Sequence, residues 1–209
     1  MSEISEGFRP PQQARSRASL QKVLAAAEKV LAVQGLESFT VAAVATQAGM
    51  SVGAIYRRFE GKEQLLYAVK DQLLSQLEVA VRDALRSAPP DLRSIFDAFV
   101  AALARTFQEH DRIFPELLDA QRSDGRDRGL AALSAIQDAL LEAVSSLTES
   151  SEARMAARTI IGACVHRAAT SRFWPDDRSW ETWAAEAAEM ALAYLTSPAA
   201  APSPGPARM

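Results

Sequence analysis

Residues 40–59 read TVAAVATQAGMSVGAIYRRF, and this stretch decides the fold. Thr40 is a good helix N-cap, and Val41, Val44, Ala45 and Ala48 follow it at helical spacing as far as Gly49. Gly49 supplies a residue that tolerates the positive φ a tight turn needs. Ser51 then caps a second short segment, Val52 to Phe59, held down by an apolar pair four residues apart, Ile55 and Phe59. Ala45 and Ala48 are small where a second helix must cross the first. The opposite face of the second segment carries Gly53, Ala54, Tyr56 and Arg57, small at its start and long further on. Small residues allow close approach to base edges, and free amides at a helix start favour phosphate. The spacing predicts a helix-turn-helix whose second helix is free to enter a major groove.

Outward from this core the 3.6-residue period continues. Leu20, Val23, Leu24, Ala27, Val30 and Leu31 form one stripe that stops at Gly35, a plausible C-terminal cap. Leu65, Leu66, Val69, Leu73, Leu77 and Val81 mark a long helix from Lys62 to Ser87, ended by Pro89-Pro90. Leu92, Phe96, Phe99, Val100, Leu103 and Phe107 make an amphipathic helix. Further helices are expected near 115–123, 128–148, 152–173 and 179–196, about nine in all. The expected organisation is a flexible N-terminal arm (1–15), a three-helix DNA-binding domain (16–62), a helical bundle for ligand binding and dimerisation (63–196), and a disordered Ala/Pro/Ser-rich tail (197–209).

Composition agrees with an all-α chain. Among the 209 residues, 41 Ala outnumber the 27 Val, Ile and Thr together, which disfavours sandwiches, barrels and parallel sheets. The single Cys164 excludes an internal disulfide framework and a cysteine-based zinc finger. No run is apolar enough to cross a bilayer and no signal-peptide pattern opens the chain, so a cytoplasmic protein without a membrane partner is expected. The net charge of −3 is unevenly spread: residues 1–70 sum to +3 and residues 71–209 to −6. A basic end on an acidic body suits contact with a polyanion.

The stretch resembles the DNA-binding domain of TetR-family transcriptional regulators. The resemblance rests on a first helix ending at Gly35, Phe39-Thr40, Ala-Gly-x-Ser, Gly-x-Ile-Tyr-x-x-Phe, and Gly61-Lys62-Glu63-x-Leu65-Leu66, and it covers roughly residues 16–75. It implies that Thr40, Tyr56 and Lys62 contact phosphate and that Val52, Gly53, Ala54 and Arg57 occupy base-reading positions, with Ser51 beside them. Many members have polar residues where Val52 and Ala54 stand, so readout here would lean on Arg57 and on methyl contacts to thymine. Arg15 and Arg17, ahead of the first helix, could reach the backbone or the minor groove. Blander readings remain beside these. Tyr56, Arg57 and Arg58 also suit an ordinary solvated face, Arg58 pairing with an acid such as Glu60, and Val52 could extend the Ile55 stripe toward the core.

Two recognition helices one turn of DNA apart require a two-fold dimer. Ile161, Cys164, Val165 and Ala168 on one helix, with Trp180, Trp183, Ala187 and Ala191 on the next, are the candidate interface, small residues beside large anchors. The resemblance implies a four-helix bundle at these positions; the alternative is that they are core within one subunit. Phe96, Phe99, Leu103, Phe107, Phe114 and Leu117, with Gln121, His166 and Arg167 as polar partners, are candidates to line a ligand cavity, or else plain core and a structural histidine. Such a lining suits a hydrophobic or aromatic effector.

No cofactor, metal site or catalytic residue is expected: two histidines, one cysteine among apolar residues, and no glycine-rich phosphate loop or serine elbow argue against an enzyme. The expected function is a ligand-responsive regulator binding double-stranded operator DNA as a homodimer, released as a repressor by its effector. The alternatives are an activator of the same fold and a helical interaction module that binds no DNA.

Overall fold

The computed structural model describes residues 12–114, 126–170 and 177–197, with side chains from Ser16 onward. Among these residues there are eight helices and no strand: α1 (Gln12–Gln34), α2 (Val41–Ala48), α3 (Val52–Tyr56), α4 (Lys62–Ser87), α5 (Leu92–Glu109), α6 (Arg126–Val144), α7 (Ser150–Thr170) and α8 (Trp180–Thr196). The helix expected near 115–123, with Leu117 and Gln121, and the tail from 198 onward lie outside the described residues.

Helix α1 starts at Gln12, four residues inside the expected arm, so Arg15 and Arg17 lie within the helix and not ahead of it. The reason is propensity without periodicity: Gln-Gln-Ala-Arg favours helix but has no apolar stripe to announce it. The end of α1 is set as the sequence suggests. Gly35 adopts φ 71°, and its N–H returns to the carbonyl of Leu31 at 3.0 Å.

The chain divides into two compact units. Of the described residues, one unit holds 12–73 together with 112–114 and Arg126, and the other holds 74–111, 127–170 and 177–197. The first unit therefore extends beyond Lys62 and takes the opening turns of α4 with it. Its core is made by Val23, Ala27, Val30 and Leu31 of α1, Val44, Ala45 and Ala48 of α2, Ile55 of α3, Phe39, Phe59, and Leu65 and Val69 of α4, all buried. Ile113 and Phe114 are buried too.

In the second unit α5 and α8 share the most extensive packing, and α7 packs against both. Phe96, Phe99, Leu103 and Phe107 of α5 are buried, as are Ile136 and Leu140 of α6. Asp91 caps α5 by accepting the N–H of Ser94 at 2.9 Å, and that bond holds its carboxyl below the usual carboxylate range. Arg128, in the first turn of α6, grips α4 through Glu78 at 2.6 Å and Ser75 at 3.0 Å. Among the described residues no helix is long and apolar enough to cross a membrane.

Candidate nucleic-acid interface

The turn between α2 and α3 is built by two caps and one glycine. Thr40 Oγ1 accepts the N–H of Ala43 at 3.1 Å, and Ser51 Oγ accepts the N–H of Ala54 at 3.2 Å. Each hydroxyl keeps its own proton to donate outward, and both residues are exposed. Gly49 sits at φ 59°, where L side chains are strained, and Met50 N–H closes the turn on the carbonyl of Ala45 at 2.9 Å.

Helix α3 is shorter than its expected span. It ends at Tyr56, with Arg57 as its C-cap, and Phe59 reaches the core through a bond from its N–H to the carbonyl of Ile55 at 3.0 Å. One face is anchored: Ile55 is 0% and Phe59 6% exposed. The other is bare: Val52 is 40% and Tyr56 53% exposed, with Ser51, Gly53 and Arg57 also open and Ala54 half-buried. Val52 thus does not extend the buried stripe. A Cβ placed on Gly53 would meet nothing within 4 Å, so packing inside the chain does not explain a glycine there.

Two further cations of this unit are engaged within it. Lys62 stands in the first turn of α4, where a positive charge has the wrong sign for the helix dipole. Its ammonium donates to the carbonyl of Leu36 at 3.0 Å and lies 6.0 Å from the centre of the Phe39 ring, tying α4 to the loop that delivers Thr40. Arg58 pairs with Ser16 Oγ at 3.1 Å and not with Glu60, whose N–H goes to Gln64 Oε1. These bonds join residues 26 and 42 positions apart, so no local pattern in the sequence announces them. Arg17 is exposed on α1.

In the second unit, residues that the sequence assigned to two different sites meet in one cluster. Phe107 stacks on Trp180 at 6.1 Å, Trp183 meets Trp180 edge-on at 5.7 Å, and the Arg167 guanidinium lies 4.8 Å from the Trp180 ring while donating to the carbonyl of Arg178. His166 is exposed. Of the expected interface, Ile161, Cys164, Ala168, Ala187 and Ala191 are buried within the chain, and Cys164 has no exposed surface for a partner to touch. These five are core. Burial also pushes the Cys164 thiol well above its ordinary value, so it is not poised as a nucleophile. Val165, Trp180 and Trp183 are half-buried. Met155, Thr159 and Gly162 of α7 and Met190 and Tyr194 of α8 are exposed instead, among charged residues such as Arg154, Arg158, Glu186 and Glu189. Apolar and small residues spread beyond the buried stripe on both helices, as Met155, Gly162, Met190 and Ala193 show, so the sequence does not tell which of them face the chain's own core.

Residues 23–69 match the family of bacterial regulatory proteins named for TetR. Solved structures similar to the whole fold include a TetR-family regulator from Streptomyces coelicolor (18% identity, 92% of this chain and 98% of that one, TM-score 0.70). Two others are the regulator FadR from Bacillus subtilis in complex with stearoyl-CoA (18% identity, 84% and 97%, TM-score 0.68) and FadR from Thermus thermophilus, a TetR-family repressor in complex with lauroyl-CoA (18% identity, 89% and 99%, TM-score 0.59). Comparison with curated protein sequences gives no match. At these identities the structural likenesses speak for the fold, an N-terminal helix-turn-helix followed by a helical bundle. The match over α1 to α4 speaks for that segment: residues 23–69 are similar to the tetR family of bacterial regulatory proteins.

Proposed function

We propose that the chain represses transcription by binding operator DNA as a homodimer, and that a hydrophobic small molecule held in the second unit releases it. The observation that carries the reading is the bare face of α3, where Val52, Gly53, Tyr56 and Arg57 project outward from a helix anchored by Ile55 and Phe59. Tyr56, Thr40 and Ser51 offer hydroxyl donors to phosphate, and Lys62 keeps two ammonium protons beyond the one given to Leu36. Arg57 is the side chain suited to a guanine edge, and Val52 and Ala54 suit thymine methyls. Arg17 adds positive charge on α1.

A second copy of the chain would meet the exposed face of α7 and α8, where Met155, Gly162, Met190 and Tyr194 stand open, with Val165, Trp180 and Trp183 at its margin. The effector is an amphiphile with a long apolar part. Two proteins of this fold are solved with acyl-CoA bound, and Phe96, Phe99, Leu103 and Phe107 concentrate apolar surface in α5. Phe114 belongs to the other compact unit, and His166 and Arg167 would serve this site only if the effector reached the Trp180 cluster. Helix α4, which contributes residues to both units, would carry the change to the recognition helices. The protein acts by binding alone, without catalysis.

Titration of the protein against a labelled duplex from upstream of its own gene tests the reading, with fatty acyl-CoA and aromatic compounds added to the complex. Salt-dependent binding, reversed by one of these compounds, is expected. Absence of binding to any duplex refutes it. A reporter under that upstream region separates repression from activation.

A further inference from the structure

The segment from Thr40 to Ile55 contains no charged residue, so the turn and the start of the recognition helix bring no cation of their own to a polyanion. One stands beside them on a different helix. Lys22 is exposed on α1, next to the buried Val23, and its Nζ lies 3.9 Å from the point where a Cβ on Gly49 would sit. Gly49 is itself exposed and carries no side chain to cover that ammonium. Among the described residues Lys22 makes no hydrogen bond or ion pair, whereas Lys62 and Arg58 are each tied to a partner.

We propose that Lys22 is a phosphate-contacting residue of the DNA interface, supplying from α1 the positive charge that the helix-turn-helix lacks at its turn. The proposal rests on the DNA-binding reading and adds a backbone contact to it. A lysine suits this role because a point charge on a flexible stem neutralises a phosphate without reading sequence. The competing role is local. An ammonium near the C-terminal end of α2 would favour that helix through its dipole and leave DNA affinity alone.

The two roles separate in a salt titration. Wild type, Lys22→Gln and Lys22→Arg are titrated onto a fluorescein-labelled random-sequence duplex about three helical turns long, over a range of salt concentrations. Removing one phosphate neutralisation lowers the slope of log K against log salt by about 0.9, so K22Q in a dimer is expected to lower it by about 1.8. K22R is expected to keep the wild-type slope. An unchanged slope in K22Q, with or without a lower Tm, overturns the proposal while leaving the DNA-binding reading intact. If the wild type itself binds no duplex in a salt-dependent way, both readings fall together.

Discussion

Replacing Gly53 separates function from folding, because the two are expected to move in opposite directions. A Cβ at this position meets nothing within 4 Å, and the residue lies in a helix with ordinary negative φ. Gly53→Ala therefore removes backbone entropy from the unfolded chain without a clash. Gly costs a helix roughly 0.5–1 kcal/mol relative to Ala. The lower end applies in a helix as short as α3, which corresponds to a rise in Tm of about 1–2 °C for a chain of this size. If the exposed face of α3 meets base edges, the same methyl separates them. Disrupting the fit at one base pair costs about 1–3 kcal/mol, so binding to the upstream duplex should fall roughly 5-fold or more, and further in Gly53→Leu. Binding to a random duplex, which depends on phosphate contacts, should fall much less. Thermal melts and fluorescence anisotropy on both duplexes measure these quantities. If G53A and G53L bind the upstream duplex as the wild type does, the face of α3 does not enter a groove and the reasoning fails.

Lys62→Met removes the bond to the Leu36 carbonyl and the charge over Phe39, a loss of about 1–2 kcal/mol read as a lower Tm, together with a smaller salt slope in DNA binding. Ile55→Ala, at a fully buried site, should cost about 2–5 kcal/mol, and urea unfolding followed by circular dichroism measures it. Asp91→Ala should lower Tm at neutral pH by removing the cap of α5. Because the Ser94 N–H holds the Asp91 carboxyl below its unfolded value, the cap stabilises fully above the ordinary carboxylate pKa of about 3.9 and is lost as pH falls through the depressed folded value. The Tm difference between wild type and D91A should therefore shrink in acid; a constant difference would mean that Asp91 acts by some other route.

How much of this was legible in the sequence depends on the range of the interaction concerned. The helix-turn-helix is written locally: Thr40 and Ser51 bond to the N–H three residues ahead, Gly49 takes the left-handed conformation, and the Ile55 carbonyl accepts the N–H of Phe59 four residues on. The opening of α1 was not legible, since a polar helix end carries no period. Nor were Lys62 to Leu36 and Arg58 to Ser16, which bridge segments far apart along the chain. In α7 and α8 composition showed that apolar and small residues would be buried, but not against what. Ile161, Cys164 and Ala168 turned inward, while Met155 and Met190 were left outside. A period of 3.6 marks a stripe only when the remaining faces are polar.

Local rules fail in this chain at particular places, and those places gather on surfaces. A glycine in α3 with open space around it goes against what stability alone would select; the lysine in the first turn of α4 is set against the dipole but offset by the Leu36 carbonyl and the Phe39 ring, and the exposed lysine on α1 has no partner among the described residues. All three belong to the compact unit that holds the helix-turn-helix. The same criterion points to a second surface. Gly162 lies in the interior of α7, exposed, with nothing within 4 Å of its missing Cβ, one turn from Thr159 on a face that also bears Met155. A helix that keeps a glycine it does not need for its own packing has room for another backbone to approach. That is the geometry a second copy of the chain requires, and Gly162→Leu should therefore weaken self-association in sedimentation while leaving the Tm of the dissociated chain unchanged or raised. A dimer of undiminished affinity in that variant would move the contact elsewhere on the second unit.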